Sequence, residues 1–223
     1  MFQQRTKRIW GAVIAILALG VSIYLGVQYF GFGAASSGLI QDKVNNQHLT
    51  LSDLYFLVLY IHIAAGIIAI SIGWIQFIDS IREKYRGLHR TLGIIYSGCV
   101  IFSGASGIFI AFKATGGWVS TAAFLLLSLS WLFTLTKGLR AIIVEQDPRK
   151  HKNWMLRNYA LTLAAVTLRI YLPISMLLFG LEHFNVYYRV IAWICWIPNL
   201  IFAEWIIGRI PSRWSRSYST VHK

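Results

Sequence analysis

The chain has 223 residues, 57% of them apolar or aromatic and only 13% charged, whereas a soluble domain carries about 25% charged residues. With a mean hydropathy of +0.58, this excludes soluble, disordered, collagen-like and disulfide-stapled classes and leaves an integral membrane protein. The formal charge of +13 is no nucleic-acid footprint, because the Lys and Arg residues sit in short segments between apolar blocks.

A spanning helix needs about 20 mainly apolar residues, and six stretches qualify. Helix one, Ile9 to Phe30, follows Arg5, Lys7 and Arg8 and precedes Ala34, Ala35 and Ser36. A secretory signal has the same flanks, but this apolar run exceeds a signal's hydrophobic region, so an uncleaved anchor is expected.

Helix two runs from Leu54 to Ile78. At about 100° per residue, Tyr55, His62, Gly66, Ala69, Gly73 and Gln76 fall within about 40° of one line. That face combines an imidazole, small residues and an amide. It serves either a polar site or ordinary helix packing around a hydrogen-bonded His62. Helix three, Leu92 to Phe112, follows Arg86, His89 and Arg90; His89, Gly93, Tyr96, Ser103 and Gly107 share one of its faces. Small-residue ladders, Ala65–Ala69–Gly73 and Ser103–Gly107–Ala111, predict that helices two and three are central.

Helix four is expected over Trp118 to Thr136 and helix five over Tyr159 to Leu181, with about twenty residues between them that can hold a short interfacial helix at most. The segment leading into helix five carries Arg149, Lys150, His151, Lys152 and Arg157. Asn158, Thr162, Ala165 and Arg169 then form a stripe, with Pro173 one turn beyond. Arg169 lies about 18 Å from the basic end of its helix and His62 about 12 Å from the opposite end of helix two. In a hydrocarbon core about 30 Å thick those depths coincide. A second polar site of His62, Arg169 and Gln76 is therefore expected, with lipid phosphate as the other destination for Arg169. Helix six, Tyr187 to Gly208, carries Glu204, too near the basic end to serve Arg169 and better placed for an inner basic residue.

Of the 21 Lys and Arg residues, all but Lys43, Lys113, Arg169 and Arg189 fall on one side of the spans. The positive-inside rule makes that side cytoplasmic, with both termini in the cytoplasm. Trp10, Trp118, Trp154, Tyr187 and Tyr188 fall near predicted ends, where amphipathic rings favour the interface. Cys99 and Cys195 lie inside apolar blocks and are expected as free thiols. His48, His183 and His222 are expected to be solvated.

His89 and His151 sit at similar depth on two helices. Two imidazoles at one level suit a bis-histidine haem b, with both side chains on the iron and Arg90 and Arg157 balancing the propionates. The same residues could instead form a positive surface whose partner is anionic lipid. No HExxH, paired CxxC, P-loop or GxGxxG stands where its chemistry would need it, and no span carries a central carboxylate for ion coupling.

The segments Tyr60-Ile61-His62-Ile63-Ala64-Ala65-Gly66, Gly87-Leu88-His89-Arg90-Thr91-Leu92-Gly93 and His151-Lys152-Asn153-Trp154-Met155-Leu156-Arg157 resemble a family of bacterial predicted membrane proteins, DUF2306, a domain of unknown function. Ala160-Leu161-Thr162 and Thr167-Leu168-Arg169 extend the likeness. It covers about Leu54 to Pro173, and implies that helices two to five are the functional core of a single transmembrane domain flanked by helices one and six. A looser, architectural likeness is to membrane cytochromes of the b561 type, which hold haem between histidines of different helices. His89 with His151 would match the cytoplasmic haem, while His62 lacks a histidine partner within a span.

The expected fold is an all-α polytopic membrane protein, a six-helix bundle with both ends cytoplasmic. The expected function is a haem-binding or quinone-interacting redox protein, an oxidoreductase or electron carrier with a quinone or protein redox partner and membrane lipid around it. The alternative is a small transporter, or a lipid-binding or assembly protein, using the same groups without a redox cofactor.

Overall fold

The computed structural model describes residues 2–209, with side chains from Ile9 onward. The side chains of Arg5, Lys7 and Arg8, and the tail with Arg213, Arg216, His222 and Lys223, lie outside the described residues.

Among the described residues, six helical spans are long and apolar enough to cross a membrane: Ile9–Gly31, Asp53–Phe77, Arg86–Ala111, Trp118–Ile143, Pro148–Phe179 and Phe184–Gly208. No strand occurs among the described residues. The first span is α1 (Phe2–Gly26) closed by a π-helical turn. A short helix, α2 (Gly38–Asn45), follows, started by Ser37, whose hydroxyl accepts from the Ile40 N–H. Ser52 caps α3 (Asp53–Gly73) in the same way. A 3-10 turn over Trp74–Phe77 and the six-residue α4 (Asp79–Lys84) lead into α5 (Arg86–Ala111). After α6 (Trp118–Ile143) the fifth span is α7 (Pro148–Thr162) and α8 (Ala164–Phe179), and the sixth is α9 (Phe184–Ile194) and α10 (Ile197–Gly208).

The most extensive helix interface joins α3 to α5, as the two small-residue ladders predict. At Gly73 a Cβ would stand within 3 Å of both Tyr96 and Tyr159 rings, so glycine there lets α3 lie against two aromatic side chains. Neighbouring spans run antiparallel, which gathers Lys43, Lys113 and Arg189 at one end and most of the described cations at the other. We call these the Lys43 end and the basic end.

Two expectations need correction. The segment of about twenty residues before helix five is not a loop: α6 continues to Ile143, and α7 begins at Pro148, capped by Asp147, whose carboxylate accepts from the Lys150 N–H. Charged residues extend these helices beyond the apolar runs because the basic end faces water, where a helix needs no apolar face. Tyr187 and Tyr188 are buried rather than interfacial, packed with Phe184 and Phe124, whereas Trp10 and Trp118 are exposed as expected.

Candidate functional site

A cavity of about 210 Å³ lies among the spans. Its lining on α3 runs from Tyr55 to Ile70, about 22 Å of helix at 1.5 Å per residue. Because α3 and the fifth span are antiparallel, Arg169 stands level with the upper turns of α3 and Leu161 with its lower turns. Polar groups therefore gather towards the Lys43 end: Lys43 from α2, Tyr55 and His62 from α3, Arg169 from α8 and Tyr188 from α9. The deeper lining is apolar, with Ile70, Trp131, Leu161 and Ala164.

His62 is fixed from one side. Its Nδ1 lies 2.8 Å from the Ser103 carbonyl oxygen, which can only accept, so Nδ1 carries the proton and donates. The Ser103 hydroxyl returns a bond to the His62 carbonyl at 3.0 Å. Gly107 makes room for the ring: a Cβ there would meet the Ser128 hydroxyl at 2.8 Å and His62 Cε1 at 3.3 Å. No group among the described residues pairs with Nε2.

Arg169 is the cation at membrane depth. Its charge lies within electrostatic range of His62 and Tyr188, yet its guanidinium forms no hydrogen bond or ion pair among the described residues. Pro173 has no N–H to return to the Arg169 carbonyl one turn back, so the helix is weakened at this position. Lys43 reaches the cavity from α2, donating to the Tyr55 hydroxyl at 2.7 Å with its ammonium 5.3 Å from the ring centre. Burial lowers its pKa to about 8, against the raising effect of the neighbouring Asp42 carboxylate. Asp42 itself accepts from Asn46 and Gln47. Neither Asp nor Glu lines the cavity among the described residues.

Below the cavity Tyr96, Asn158, Trp131 and Thr162 form a paired network. Tyr96 donates to Asn158 Oδ1 at 2.7 Å, Asn158 donates to the Trp131 carbonyl and the Thr134 hydroxyl, and Trp131 donates to the Thr162 hydroxyl at 2.9 Å. Thr162 in turn donates to the Asn158 carbonyl, a back-bond that bends helices and stands where α7 gives way to α8.

The structure thus brings together His62 and Arg169 of the second polar site, and separates Gln76 from them. Gln76 stays on the side of this span that faces α5, but it lies 14 residues beyond His62, about 20 Å along the axis. His62 therefore meets Ser103 and Gly107 in the middle of α5, while Gln76 meets the start of α5. There the amide orientation that satisfies the network donates to His89 Nδ1 and carbonyl and accepts from the Gly93 N–H. His89 accordingly accepts at Nδ1 and keeps its proton on Nε2.

His151 stands within electrostatic range of His89, and its Nδ1 donates to the Gly138 carbonyl at 2.7 Å, leaving Nε2 unpaired among the described residues. Arg157 is bound to Glu204 through Nε at 2.5 Å and a second nitrogen at 2.8 Å, the inner basic partner expected for that carboxylate. Arg90 is exposed. His48 and His183 are exposed as expected, and Cys99 and Cys195 are free thiols.

Sequence reasoning missed Lys43, Trp131 and Tyr188. Lys43 offered a faint signal, a single cation on the apolar side of α2 between Ile40 and Val44. The aromatic pair offered none, since nothing in a sequence distinguishes rings that line a cavity from rings that fill a core.

A family model described as predicted membrane protein (DUF2306) matches residues 59–207, from α3 through α10. No curated protein and no solved structure matches the chain.

Proposed function

The chain belongs to this family of predicted membrane proteins, and from that premise we propose that it binds a small, largely apolar molecule with an electronegative head in the cavity of His62, Arg169 and Lys43. The observation that carries this is a guanidinium inside a membrane span that has no partner among the described residues and faces a cavity that no described carboxylate lines. A cation at that depth is expensive and marks a functional site by default. Arg169 offers up to five N–H donors and Lys43 three. His62 Nε2 adds an acceptor, or a donor once protonated. Two head classes fit these groups, a quinone carbonyl and an anion, and the apolar floor suits a hydrocarbon tail. With the basic end in the cytoplasm of a bacterial cell, the head would lie in the outer half of the membrane.

Equilibrium binding to the purified, detergent-solubilised chain tests this, with a short-chain benzoquinone and a long-chain carboxylate as probes. One of them should saturate, and Arg169→Gln and His62→Leu should each weaken it about tenfold or more, the scale of one charge-assisted hydrogen bond. Saturable binding of neither probe discards the reading.

A second site is favoured by one observation at the basic end. His151 donates Nδ1–H to a backbone carbonyl and leaves Nε2 free, the arrangement that orients metal-bound histidines. Haem b between His151 and His89 requires His89 to move its proton from Nε2 to Nδ1 and Gln76 to turn its amide. Arg157 would have to leave Glu204 to meet a propionate. A reduced b-type absorption band that His151→Ala abolishes would establish haem, and a colourless protein from haem-replete cells would end that reading.

A further inference from the structure

We infer that the occupant of the cavity is a single-chain anionic amphiphile, a carboxylate on one unbranched acyl chain, with its head on Arg169 and its tail along the apolar floor. This rests on the binding reading above and chooses between its two head classes.

Charge decides the head. Arg169 lies inside a span and has no partner among the described residues, and Lys43 is already engaged with Tyr55 and offset by Asp42. A neutral quinone would accept hydrogen bonds here but leave the guanidinium charge uncompensated in a low-dielectric space. A carboxylate supplies the counter-charge, and its two oxygens match the planar fork of an arginine. Protonated His62 and the Tyr188 hydroxyl could donate to the same head.

Shape decides the tail. The lining spans about 22 Å of α3, yet the volume is only about 210 Å³, below the roughly 300–1,000 Å³ of ordinary ligand pockets. Spread over that length, so small a volume favours one flexible chain over a two-chain phospholipid or a fused-ring lipid. The paired network of Tyr96, Asn158, Trp131 and Thr162 closes its lower end with no free donor, so nothing at the floor calls for a second polar group on the ligand.

The test uses the full chain in detergent and a mid-chain brominated long-chain carboxylate, which quenches a nearby indole. Binding should quench tryptophan emission saturably, and Trp131→Phe should remove much of the quenching measured at saturating probe. The brominated alcohol of the same chain should bind at least tenfold more weakly, and acetate not measurably. Arg169→Gln should cost the carboxylate at least tenfold more than it costs the alcohol, while Arg169→Lys, which keeps the charge, should recover part of the loss and guard against misfolding.

Equal affinity for alcohol and carboxylate, or a carboxylate indifferent to Arg169→Gln, would overturn the anionic head. Saturable binding of the benzoquinone in preference to the carboxylate would overturn it too, while leaving the binding cavity standing. Binding of none of these would remove both.

Discussion

Lys43 is the cavity group whose protonation changes in an accessible pH range. Burial holds its pKa at about 8 against an ordinary 10.5. Between those values the unfolded chain carries more protons than the folded one, so the fold gains stability as pH rises through that window. Anion binding runs the other way, because the ammonium that attracts the head is lost as pH passes about 8. Affinity of the carboxylate probe should fall about three- to tenfold between pH 7 and 9.5, tenfold corresponding to one unit of pKa coupling. Tyr55 and Asp42 neighbour the amine, and Tyr29, His62 and Arg169 line the same cavity, so Lys43→Met is the control: its profile should be flat across that range. A slope that survives the substitution assigns the titration to another group. At this scale His62 and Arg169 were legible in the sequence because a polar side chain within an apolar run must face inward. Lys43 was not, since a lysine between spans reads as solvated until the fold of α2 tucks it under Tyr55.

The elements show where helical periodicity holds and where it fails. Along α3 a 100° period places Tyr55, His62 and Gly66 on the cavity correctly, while Gln76 faces the same neighbour, α5, about 20 Å further along and beyond the cavity's last lining residue on α3, Ile70. Along the fifth span it places Thr162, Ala165 and Arg169 on the cavity, while Asn158 turns into the paired network with α5 and α6. That network could not be read from one sequence, because Tyr96, Trp131 and Thr134 belong to other helices and their registers are set by packing. Asn158 is fully buried and joins three helices, so Asn158→Leu should leave the Tyr96 hydroxyl and the Thr134 hydroxyl short of a partner. The expected loss is about 1–3 kcal/mol, measured as a lower midpoint of thermal or detergent-induced unfolding. An unchanged midpoint would show that the remaining bonds to Thr162 satisfy the network alone.

For the whole molecule, six spans follow from hydropathy because apolar runs of this length have no other home. The boundaries at the basic end did not follow, since α6 and α7 continue as polar helices in water. The direction of insertion rests on charge: among the described residues Lys43, Lys113 and Arg189 face one side, against Arg82, Lys84, Arg86, Arg90 and the cations of the α6–α7 hairpin on the other. The positive-inside rule turns that asymmetry into a prediction. In a Cys99→Ala background, whose remaining Cys195 is buried, a cysteine at exposed His183 should react with an impermeant maleimide in intact cells. A cysteine at Gln146, in the turn between α6 and α7, should react only after the membrane is opened. The reverse pattern would invert the protein and place the head of the cavity on the cytoplasmic side. The expected pattern makes Lys43 and α2 the part of the site nearest the outer face, so a ligand reaches Arg169 from the outer leaflet and the membrane potential, negative inside, opposes the inward movement of its anionic head.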